Sequence, residues 1–442
     1  MPEVTITWSE IPGVKCLEYN GGGALYSLHV VGKSVIVVGA GIVGACCAGW
    51  LQRKGLSVTL VEHNAPGEAT SFGNAGSISP TAVLPVAMPG MLSQIPGWLL
   101  DPLGPLVVRW SYLPQAMPWL WRFIRCANVE QMWRTANALR PLLAPVFECY
   151  APLLKNAGCE DLVRREGCLY VYDSEEDFRA SRQAENMRRK LGAVLEDVAE
   201  SDIRRMEPGL APRFKWASYA PENGFAVDPH RLTRAIAEQV VADGGRLLRT
   251  AATGIEQRPG GGIVLRTSGE KLEGDAVVVA AGAWSHRLAA SVGDRIPLET
   301  QRGYHVTLAN PGVQSGRMLN WVRRRVFATP MAMGMRFAGT VEIAGLEAEP
   351  NWARAERLLE LGKEMFPDID ASATTRWMGH RPCLPDSIPV LGPSPRAPGV
   401  FYAFGHGHVG VCGASGTGRT IAELVAGETP QVDIAPFRAD RF

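Results

Sequence analysis

The sequence predicts an α/β fold with more than one domain, and three observations lead to this prediction. The chain has 442 residues, which is long for a single hydrophobic core. An uncharged strand, a glycine-rich turn and a helix follow one another from Ser34, and a second strand, glycine turn and helix follow from Val400. Alternating segments typical of strands lie between them. One domain is therefore expected to combine segments from both ends of the chain.

The first glycine turn indicates a dinucleotide site. Gly39 permits a tight turn after the strand, Gly41 lets the backbone approach a pyrophosphate, and Gly44 lets the next helix pack closely on the sheet. Strand, turn, helix and second strand fit within about thirty residues, as such a site requires. The alternative is an ordinary βαβ crossover that binds no ligand.

The flanking residues support the nucleotide interpretation. A helix is predicted from Ala45 to Lys54, after Ile42 and Val43, and the partial positive charge of its N-terminus faces the predicted phosphates. Glu62 ends the second strand, immediately before His63 and about twenty residues after the glycines. At this point a carboxylate can accept hydrogen bonds from both hydroxyls of an adenosine ribose, and it would repel a 2′-phosphate.

Composition narrows the class of protein. Lys and Arg number 45 and Asp and Glu 44, so no field of one sign attracts nucleic acid, and we expect no nucleic-acid binding. The nine cysteines include Cys46 and Cys47 inside the first helix, which favours reduced thiols and a cytoplasmic location. The first ten residues contain two acids and no Lys or Arg, unlike a secretory signal peptide.

A tryptophan-rich segment follows the first βαβ unit. Residues 69–100 carry no charge, but four prolines between positions 80 and 96 exclude a membrane-spanning helix. The segment continues through tryptophans to Phe123. It either forms the wall of an apolar pocket or lies on a bilayer surface, and the side chains considered for lipid contact are Trp98, Leu99, Leu100 and Trp110.

The remaining elements follow in order. Helical spacing covers 134–156 and 175–191, and a further helix runs from Asp228 to about Val241. Strands are predicted at 168–172, 304–308 and 340–344, and a buried strand that ends in small residues is predicted at 276–284, with a helix at 352–365. The predicted division is an N-terminal extension at 1–32, one domain of nucleotide-binding type at 33–85, 205–285 and 376–442, and a second domain at 86–204 and 286–375.

Several motifs in order resemble flavoproteins of the D-amino-acid oxidase superfamily, most closely the branch of bacterial D-amino-acid dehydrogenase small subunits. The motifs are Glu68 to Gly76, Val279 to Ser285, Gly339 to Glu342, Arg381-Pro382 and Pro385-Asp386. The resemblance extends from about Lys33 to Asp433. It implies a Rossmann-like FAD-binding domain of the glutathione-reductase type and a second, antiparallel-sheet α+β substrate domain, both discontinuous.

The resemblance also implies FAD, held without a covalent bond, and a set of residues that bind it. The ADP half would contact Gly39, Gly41, Ile42, Val43, Gly44, Glu62 and His63. The ribityl chain and flavin would lie along Thr70, Ser71, Asn74 and Gly76, beside Ala281, Gly282 and Trp284. The turn at Gly407, His408, Val409 and Gly410 would direct backbone N–H groups to the pyrimidine edge of the flavin.

The implied reaction is oxidation of the Cα–N bond of D-amino acids, or of imino acids such as D-proline derivatives, by hydride transfer to flavin N5. Such a reaction needs a cation for the substrate carboxylate and no strong general base once the amine is neutral. Arg336 is our first choice for the cation, against a solvent-facing strand arginine. Arg381 is the second, against an ion pair with Asp386. Of the strand neighbours Tyr304 and His305, only one can face the pocket, and we favour Tyr304.

The other expectations concern metals, flavin attachment and the electron acceptor. His406 and His408 have no further ligands at suitable spacing, so no metal site is predicted. Sarcosine oxidases attach flavin through a cysteine that would correspond to a position near Gly379, not to Cys383. We expect electrons to reach a quinone, with contact to the inner surface of the cytoplasmic membrane. The alternatives are an oxygen-using glycine or sarcosine oxidase and a non-catalytic flavin-binding subunit.

Overall fold

The computed structural model describes residues 33–90, 103–104, 106–258 and 261–442, together with the backbone of two short paired strands, β1 (Glu10–Ile11) and β2 (Val14–Lys15). The rest of the predicted extension at 1–32 lies outside the described residues. Trp98, Leu99 and Leu100, which were considered for lipid contact, also lie outside them.

A six-stranded sheet forms the first layer. Its strands in spatial order are β12 (Arg246–Arg249), β4 (Ser57–Glu62), β3 (Ser34–Val38), β16 (Ala276–Val279), β23 (Val400–Phe404) and β22 (Val390–Pro393). All pairs are parallel except the last. The central strands are buried runs of Val, Ile and Ala, as expected for a sheet covered on both faces.

Helices cover one face of this sheet. They are α1 (Ile42–Arg53), α3 (Val129–Leu143), α4 (Val146–Asn156), α7 (Pro229–Ala242) and α10 (Gly410–Val425). They bury one continuous apolar core with the sheet. The opposite face packs on α8 (Ser285–Ser291) and on a small sheet of β13 (Ala252–Gln257), β14 (Ile263–Thr267) and β15 (Leu272–Gly274).

A nine-stranded, mostly antiparallel sheet forms the second layer. Its order is β21 (Thr374–Cys383), β17 (Glu299–Leu308), β20 (Gly334–Ile343), β19 (Val326–Met331), β18 (Met318–Trp321), β8 (Cys168–Tyr172), β10 (Trp216–Ala220) and β9 (Glu196–Val198), with β6 (Leu106–Val108) beside the end of β20. A three-stranded sheet of β5 (Ser77–Ile78), β11 (Gly224–Ala226) and β7 (Val163–Arg164) lies near the junction of the two layers.

The two faces of the nine-stranded sheet have different roles. One face packs on α9 (Ala353–Met365) and buries the second core. The other face contacts the loop at 70–76 through His305, Thr329 and Arg336. The remaining helices, α2 (Leu113–Arg125), α5 (Glu175–Lys190) and α6 (Glu200–Met206), lie at the edges of these layers.

Most predicted helices and strands agree with this fold, and three features differ from the predictions. The helix predicted at 134–156 is two helices, because the chain breaks at Ala144 and Pro145 between α3 and α4. Strands β10 and β21 pair in the nine-stranded sheet, although the predicted boundaries put β10 and most of β21 with the nucleotide-binding segments. Helices α3 and α4 pack with the core of the six-stranded sheet rather than with the second layer.

Candidate active site

The turn after β3 has the geometry of a dinucleotide-binding turn. Gly39 has φ 105°, and a Cβ there would lie 2.4 Å from the carbonyl oxygen of Ala280. A Cβ at Gly44 would lie 1.8 Å from the carbonyl oxygen of Gly39. Gly41 is less crowded, since its nearest neighbour would be Ser71 Oγ at 3.3 Å. The tight turn and close helix packing are therefore present, with space left beside Gly41.

Polar groups converge at the start of α1. The backbone N–H of Ile42 donates to Ser71 Oγ at 2.9 Å, and the N–H of Ala40 donates to Glu62 Oε2 at 2.7 Å. Val43 is half-buried behind Ile42, and His63 is exposed beside Glu62. Each carboxylate oxygen of Glu62 has capacity for a further hydrogen bond, which two ribose hydroxyls would use.

The loop at 70–76 is held between the two layers. Asn74 organises it, because Asn74 Nδ2 donates to the carbonyl of Ser71 at 2.8 Å and Asn74 Oδ1 accepts from the N–H of Gly76 at 2.7 Å. Thr70 Oγ1 donates to the carbonyl of His380 on β21 at 2.7 Å. The loop thus runs between the dinucleotide turn and the nine-stranded sheet.

Two further turns lie at the same edge of the six-stranded sheet, because the parallel strands β3, β16 and β23 all end there. After β16 come Ala281 and Gly282, and the Trp284 ring is partly exposed beside His380, with ring centroids 5.7 Å apart. After β23 come Gly407, His408 and Val409, and Gly410 begins α10. Ligands of open α/β sheets bind at this edge, so the residues predicted to bind cofactor are brought together and fit a dinucleotide.

A hydrogen bond joins the last of these turns to the nine-stranded sheet. His408 Nε2 lies 2.9 Å from Gln301 Oε1, which fits an N–H donated by the histidine. His406 instead turns into the core, with Nε2 2.8 Å from Thr417 Oγ1 on α10. Within the described residues no group of three or more His, Cys, Asp or Glu could hold a metal ion.

Arg336 is buried on the face of the sheet that meets the loop. Its Nη1 donates to the carbonyl of Asn74 at 2.8 Å and its Nε to Thr307 Oγ1 at 3.1 Å. Burial lowers the pKa of Arg336 to about 10, and the nearby Asp228 opposes that shift. Among the described residues no carboxylate lies within 4 Å of this guanidinium. All three of its nitrogens nevertheless already contact protein groups, since Nη2 donates to Met333 Sδ at 3.9 Å.

Arg381, on β21, lies on the same face of the sheet as Arg336. It pairs in register with Gln301, near the start of β17, whereas Arg336 pairs with Thr307, near the end of that strand. Its Nη1 donates to the carbonyl of Thr340 at 2.9 Å, and its Nη2 lies 3.5 Å from the carbonyl of Gly339. The alternative of an ion pair with Asp386 is wrong, because Asp386 accepts from Arg441 Nε at 2.8 Å. Desolvation lowers the pKa of Arg381.

Tyr304 does not face this site, so that prediction is wrong. Its hydroxyl donates to Glu342 Oε2 at 2.5 Å and accepts from the N–H of Asn351 at 2.9 Å. Tyr304 packs in the second core, on the α9 side of the sheet. Because side chains alternate along a strand, the neighbour His305 faces the loop and donates from Nδ1 to the carbonyl of Gly73 at 2.7 Å.

Three side chains of the site were not assigned a role from the sequence: His305, Trp377 and Gln301. His305 and Trp377 stack with ring centroids 5.2 Å apart. Burial, together with the charge of Arg336, lowers the pKa of His305 to about 3, so the imidazole is neutral at pH 7. Trp377 lies against two glycines, since a Cβ at Gly73 or Gly379 would lie 2.2 or 1.9 Å from its ring. The glycines at 73 and 379 were a signal for this close packing.

Cys383 is a buried thiol. Desolvation raises the pKa of Cys383 to about 12, which removes the thiolate needed for reaction.

Comparisons with known proteins agree with this geometry. The model of a family described as FAD dependent oxidoreductase (DAO) matches residues 34–424. A D-amino-acid oxidase of Bradyrhizobium diazoefficiens is 41% identical over 427 residues, which cover 93% of this chain and 99% of the relative. D-amino acid dehydrogenase 2 of Ralstonia nicotianae is 33% identical over 432 residues, covering 92% and 100%.

Solved structures show the same fold. Glycine oxidase from Geobacillus kaustophilus has a TM-score of 0.71 at 22% identity, covering 93% of this chain and 99% of that one. L-proline dehydrogenase from P. horikoshii also has a TM-score of 0.71, at 19% identity, covering 93% and 97%.

Proposed function

This chain belongs to the DAO family of FAD-dependent oxidoreductases, and from that membership we propose that it oxidises the Cα–N bond of D-amino acids, or of imino acids such as D-proline derivatives. The product is an imine. Water hydrolyses an acyclic imine to an oxo acid and ammonia, whereas a cyclic imine remains as such. The names of the relatives, D-amino-acid oxidase and D-amino acid dehydrogenase, support this substrate class.

FAD is the cofactor, and the turns described above supply groups suited to its parts. Gly41, the start of α1 and Glu62 suit the pyrophosphate and ribose, and the loop at 70–76 and the turn at 407–410 suit the flavin. When bound, FAD would supply a hydride acceptor for the substrate α carbon. The chain itself must bind the carboxylate, orient Cα–H and exclude water.

The observation that carries the proposal is a guanidinium beside the flavin-binding turn with no carboxylate partner among the described residues. Among the described residues, Arg381 donates hydrogen bonds only to backbone oxygens of β20. Its remaining N–H groups can therefore bind a substrate carboxylate through two hydrogen bonds. We therefore assign the carboxylate anchor to Arg381, although the sequence favoured Arg336.

Arg336 is better suited to holding the loop at 70–76 in position than to binding the substrate carboxylate. Arg336 and Arg381 pair with Thr307 and Gln301 on β17, six residues apart, which corresponds to about 20 Å along the strand. Because Arg336 donates to Asn74 and Thr307, we propose that it fixes the loop at 70–76 against the sheet.

No strong base is needed beside the substrate. The zwitterionic substrate must first lose its ammonium proton, which passes to water, and the neutral amine can then lose a hydride from Cα without help from a strong base. His305 stays neutral near the reacting region because its pKa is lowered to about 3, so it adds no second cation that would compete for the carboxylate.

We propose a quinone as the electron acceptor, reached from the inner surface of the cytoplasmic membrane. Support comes from the outer side of α2 and the turn before it, where Trp110 is 70% exposed, Trp121 61% and Met117 50%. The exposed Arg122 and Arg125 suit an anionic lipid surface. Within the described residues no helix is long and apolar enough to cross a membrane.

An oxygen-using oxidase is the second candidate. The 41% identical relative from Bradyrhizobium diazoefficiens is named an oxidase, whereas the relative from Ralstonia nicotianae is named a dehydrogenase. The two functions share the reduction of the flavin and differ in what reoxidises it.

One experiment tests both steps. The holoenzyme is mixed without oxygen with D- and L-forms of alanine, leucine and proline, and bleaching of the flavin absorbance is followed. We expect D-forms to bleach it and L-forms to leave it oxidised; absence of bleaching by every D-form contradicts the proposal. The reduced enzyme is then mixed with oxygen or with a short-chain ubiquinone. Faster reoxidation by the quinone supports the dehydrogenase, and faster reoxidation by oxygen supports the oxidase.

A further inference from the structure

A β-bulge in β20 lies against the guanidinium of Arg381, and we infer that this bulge holds the guanidinium in the position that binds the substrate carboxylate. Thr340, which has the unusual backbone conformation of the bulge, is then a positioning residue that acts through Arg381. The inference rests on the proposed function, in which Arg381 anchors the carboxylate of a D-amino acid.

The register between β17 and β20 defines the bulge. Two residues of β20, Thr340 and Val341, lie opposite a single residue of β17, Gly303. The pairs on either side of the bulge are Tyr304 with Gly339 and Arg302 with Glu342. An extra residue of this kind bends its strand and interrupts the ladder of backbone hydrogen bonds. Backbone groups of β20 are therefore released from the ladder at this point.

Thr340 has a backbone conformation that its own side chain disfavours. Its φ is 57°, and a residue branched at Cβ rarely adopts a positive φ. A left-handed residue in a bulge is ordinarily glycine. The hydroxyl does not account for the strain, because Thr340 Oγ1 is buried without a hydrogen-bond partner among the described residues. The benefit of this conformation must therefore come from the backbone.

The released backbone groups contact Arg381. Its Nη1 donates to the carbonyl of Thr340 at 2.9 Å, and its Nη2 lies 3.5 Å from the carbonyl of Gly339. In a regular antiparallel strand the carbonyls of consecutive residues point to opposite edges of the strand. Here both carbonyls lie beside one guanidinium, and the left-handed conformation of Thr340 makes this arrangement possible.

Carbonyl oxygens hold Arg381 without neutralising it. A guanidinium has five N–H groups, and the two carbonyl contacts use one N–H on each Nη, so the other three remain for a substrate carboxylate. A carboxylate partner would instead form an ion pair with Arg381 and compete with the substrate. The bulge thus fixes the guanidinium while its positive charge stays available.

The test deletes Thr340, which allows Val341 to pair with Gly303 while the pairs on either side keep their register. The holoenzyme is titrated with propionate, a carboxylate without an amine, and the change in flavin absorbance gives the Kd. We expect the deletion to raise this Kd at least tenfold. The D-alanine concentration for half-maximal anaerobic flavin reduction should rise by a similar factor, with FAD still bound after gel filtration.

A second bulge supplies the matched control. β20 also changes its neighbour from β19 to β6 at Thr340, so a general loss of stability must be separated from a loss of anchor position. Thr253 is the extra residue where the register of β13 shifts against β14. Deletion of Thr253 should leave the Kd of propionate within threefold of the wild-type value. An equal rise in both deletion variants would overturn the inference.

Two substitutions separate the backbone of Thr340 from its side chain, and they keep the test available if the deletion variant does not fold. Thr340→Gly can adopt the positive φ without strain, and Thr340→Val keeps the shape of the side chain without the hydroxyl. Both should bind propionate within threefold of the wild type, because both keep the carbonyl that holds Arg381. A tenfold rise of the Kd in either variant would assign the effect to the side chain and overturn the inference.

The outcomes also separate this inference from the proposed function. If D-alanine leaves the wild-type flavin oxidised, the proposed function fails, and the propionate titrations still test the bulge. If D-alanine reduces the flavin but the Thr340 deletion changes neither the Kd of propionate nor the half-saturating concentration of D-alanine, the proposed function stands and the positioning role of Thr340 is overturned.

Discussion

The guanidinium of Arg381 lies directly over Gly303 on the neighbouring strand. A Cβ at Gly303 would stand 2.1 Å from Nη2, so only glycine leaves room for this side-chain path. Gly303 pairs with Gly379 in register, and neither residue has a side chain to separate Arg381 from the sheet. The glycine at position 303 therefore leaves the space that the guanidinium of the proposed carboxylate anchor occupies.

Gly303→Ala should displace Arg381 while leaving the cofactor site intact. We expect the D-amino acid concentration for half-maximal flavin reduction to rise at least tenfold, with FAD still bound after gel filtration. Gly316→Ala is the matched control, because a Cβ there meets nothing within 4 Å. If Gly303→Ala reaches half-maximal flavin reduction at the same D-amino acid concentration as the wild type, Arg381 does not determine substrate affinity.

Lysine substitutions distinguish the two arginines. Arg381→Lys keeps the charge but loses the two-pronged grip, and at about 1.5–3 kcal/mol the half-saturating substrate concentration should rise roughly tenfold to a hundredfold. Arg336→Lys should instead lower the melting temperature and weaken FAD binding, since it loosens Asn74. The assignment is reversed if Arg336→Lys shows the substrate effect and Arg381→Lys does not.

The sequence was sufficient to predict the turn geometry of the proposed nucleotide half of the site. Gly39, Gly44 and Glu62 are constrained by local geometry, because turn, helix and second strand lie close together in the chain, and a short motif contains that information. The second glycine turn at 407–410 is predictable for the same reason. The family resemblance then gave the cofactor, and the structural comparisons agree with the fold.

The substrate-binding half of the site was harder to predict from the sequence. Nine of the ten residues of β17 are buried, so its hydrophobic pattern could not indicate whether Tyr304 or His305 faces the loop. The partner of Asp386 is Arg441, 55 residues further on, and no local pattern indicates that pair. Burial on both faces and contacts between distant segments explain these errors.

Glu62→Gln should weaken FAD binding. It removes a charged acceptor from two ribose hydroxyls, a loss of about 1.5–3 kcal/mol, so the Kd should rise roughly tenfold to a hundredfold. The measurement is flavin fluorescence during titration of the apoprotein. Glu68→Gln, an exposed neighbour, is the control. An unchanged Kd in Glu62→Gln would remove Glu62 from the cofactor site.

Two buried histidines should make stability depend on pH. Burial lowers the pKa of His406 to about 4, and burial with the Arg336 charge lowers that of His305 to about 3, whereas both titrate near 6.5 when unfolded. Below pH 6.5 the unfolded chain binds more protons than the folded protein does. Each unit by which the pH is lowered therefore reduces the free energy of unfolding by up to about 1.4 kcal/mol for each histidine.

The urea midpoint should accordingly be lower at pH 5.5 than at pH 7.5. His406→Gln keeps a hydrogen-bonding group near Thr417 without a titrating ring, so its midpoint should vary less with pH. Equal pH dependence in this variant and the wild type would show that His406 is not protonated on unfolding in this range.

The last prediction concerns the outer side of α2 and the turn before it. Trp110, Met117 and Trp121 are exposed there, while Trp119 and Phe123 of the same helix are buried and stacked at 4.9 Å. The helix is therefore fixed to the protein by one side and presents tryptophan on the other. Burying each such side chain in a lipid interface contributes about 1.5–3 kcal/mol.

We expect the wild type to float with anionic phosphatidylglycerol vesicles in a density gradient, and less at high salt, because Arg122 and Arg125 contribute screened attraction. Trp110→Glu with Trp121→Glu should remain at the bottom of the gradient yet reduce a soluble dye with D-alanine at the wild-type rate. Val194→Glu with Val241→Glu adds the same charge at exposed valines elsewhere and should still float. A wild type that never floats would show that the outer side of α2 does not bind lipid, and the quinone would then have to reach the flavin from solution.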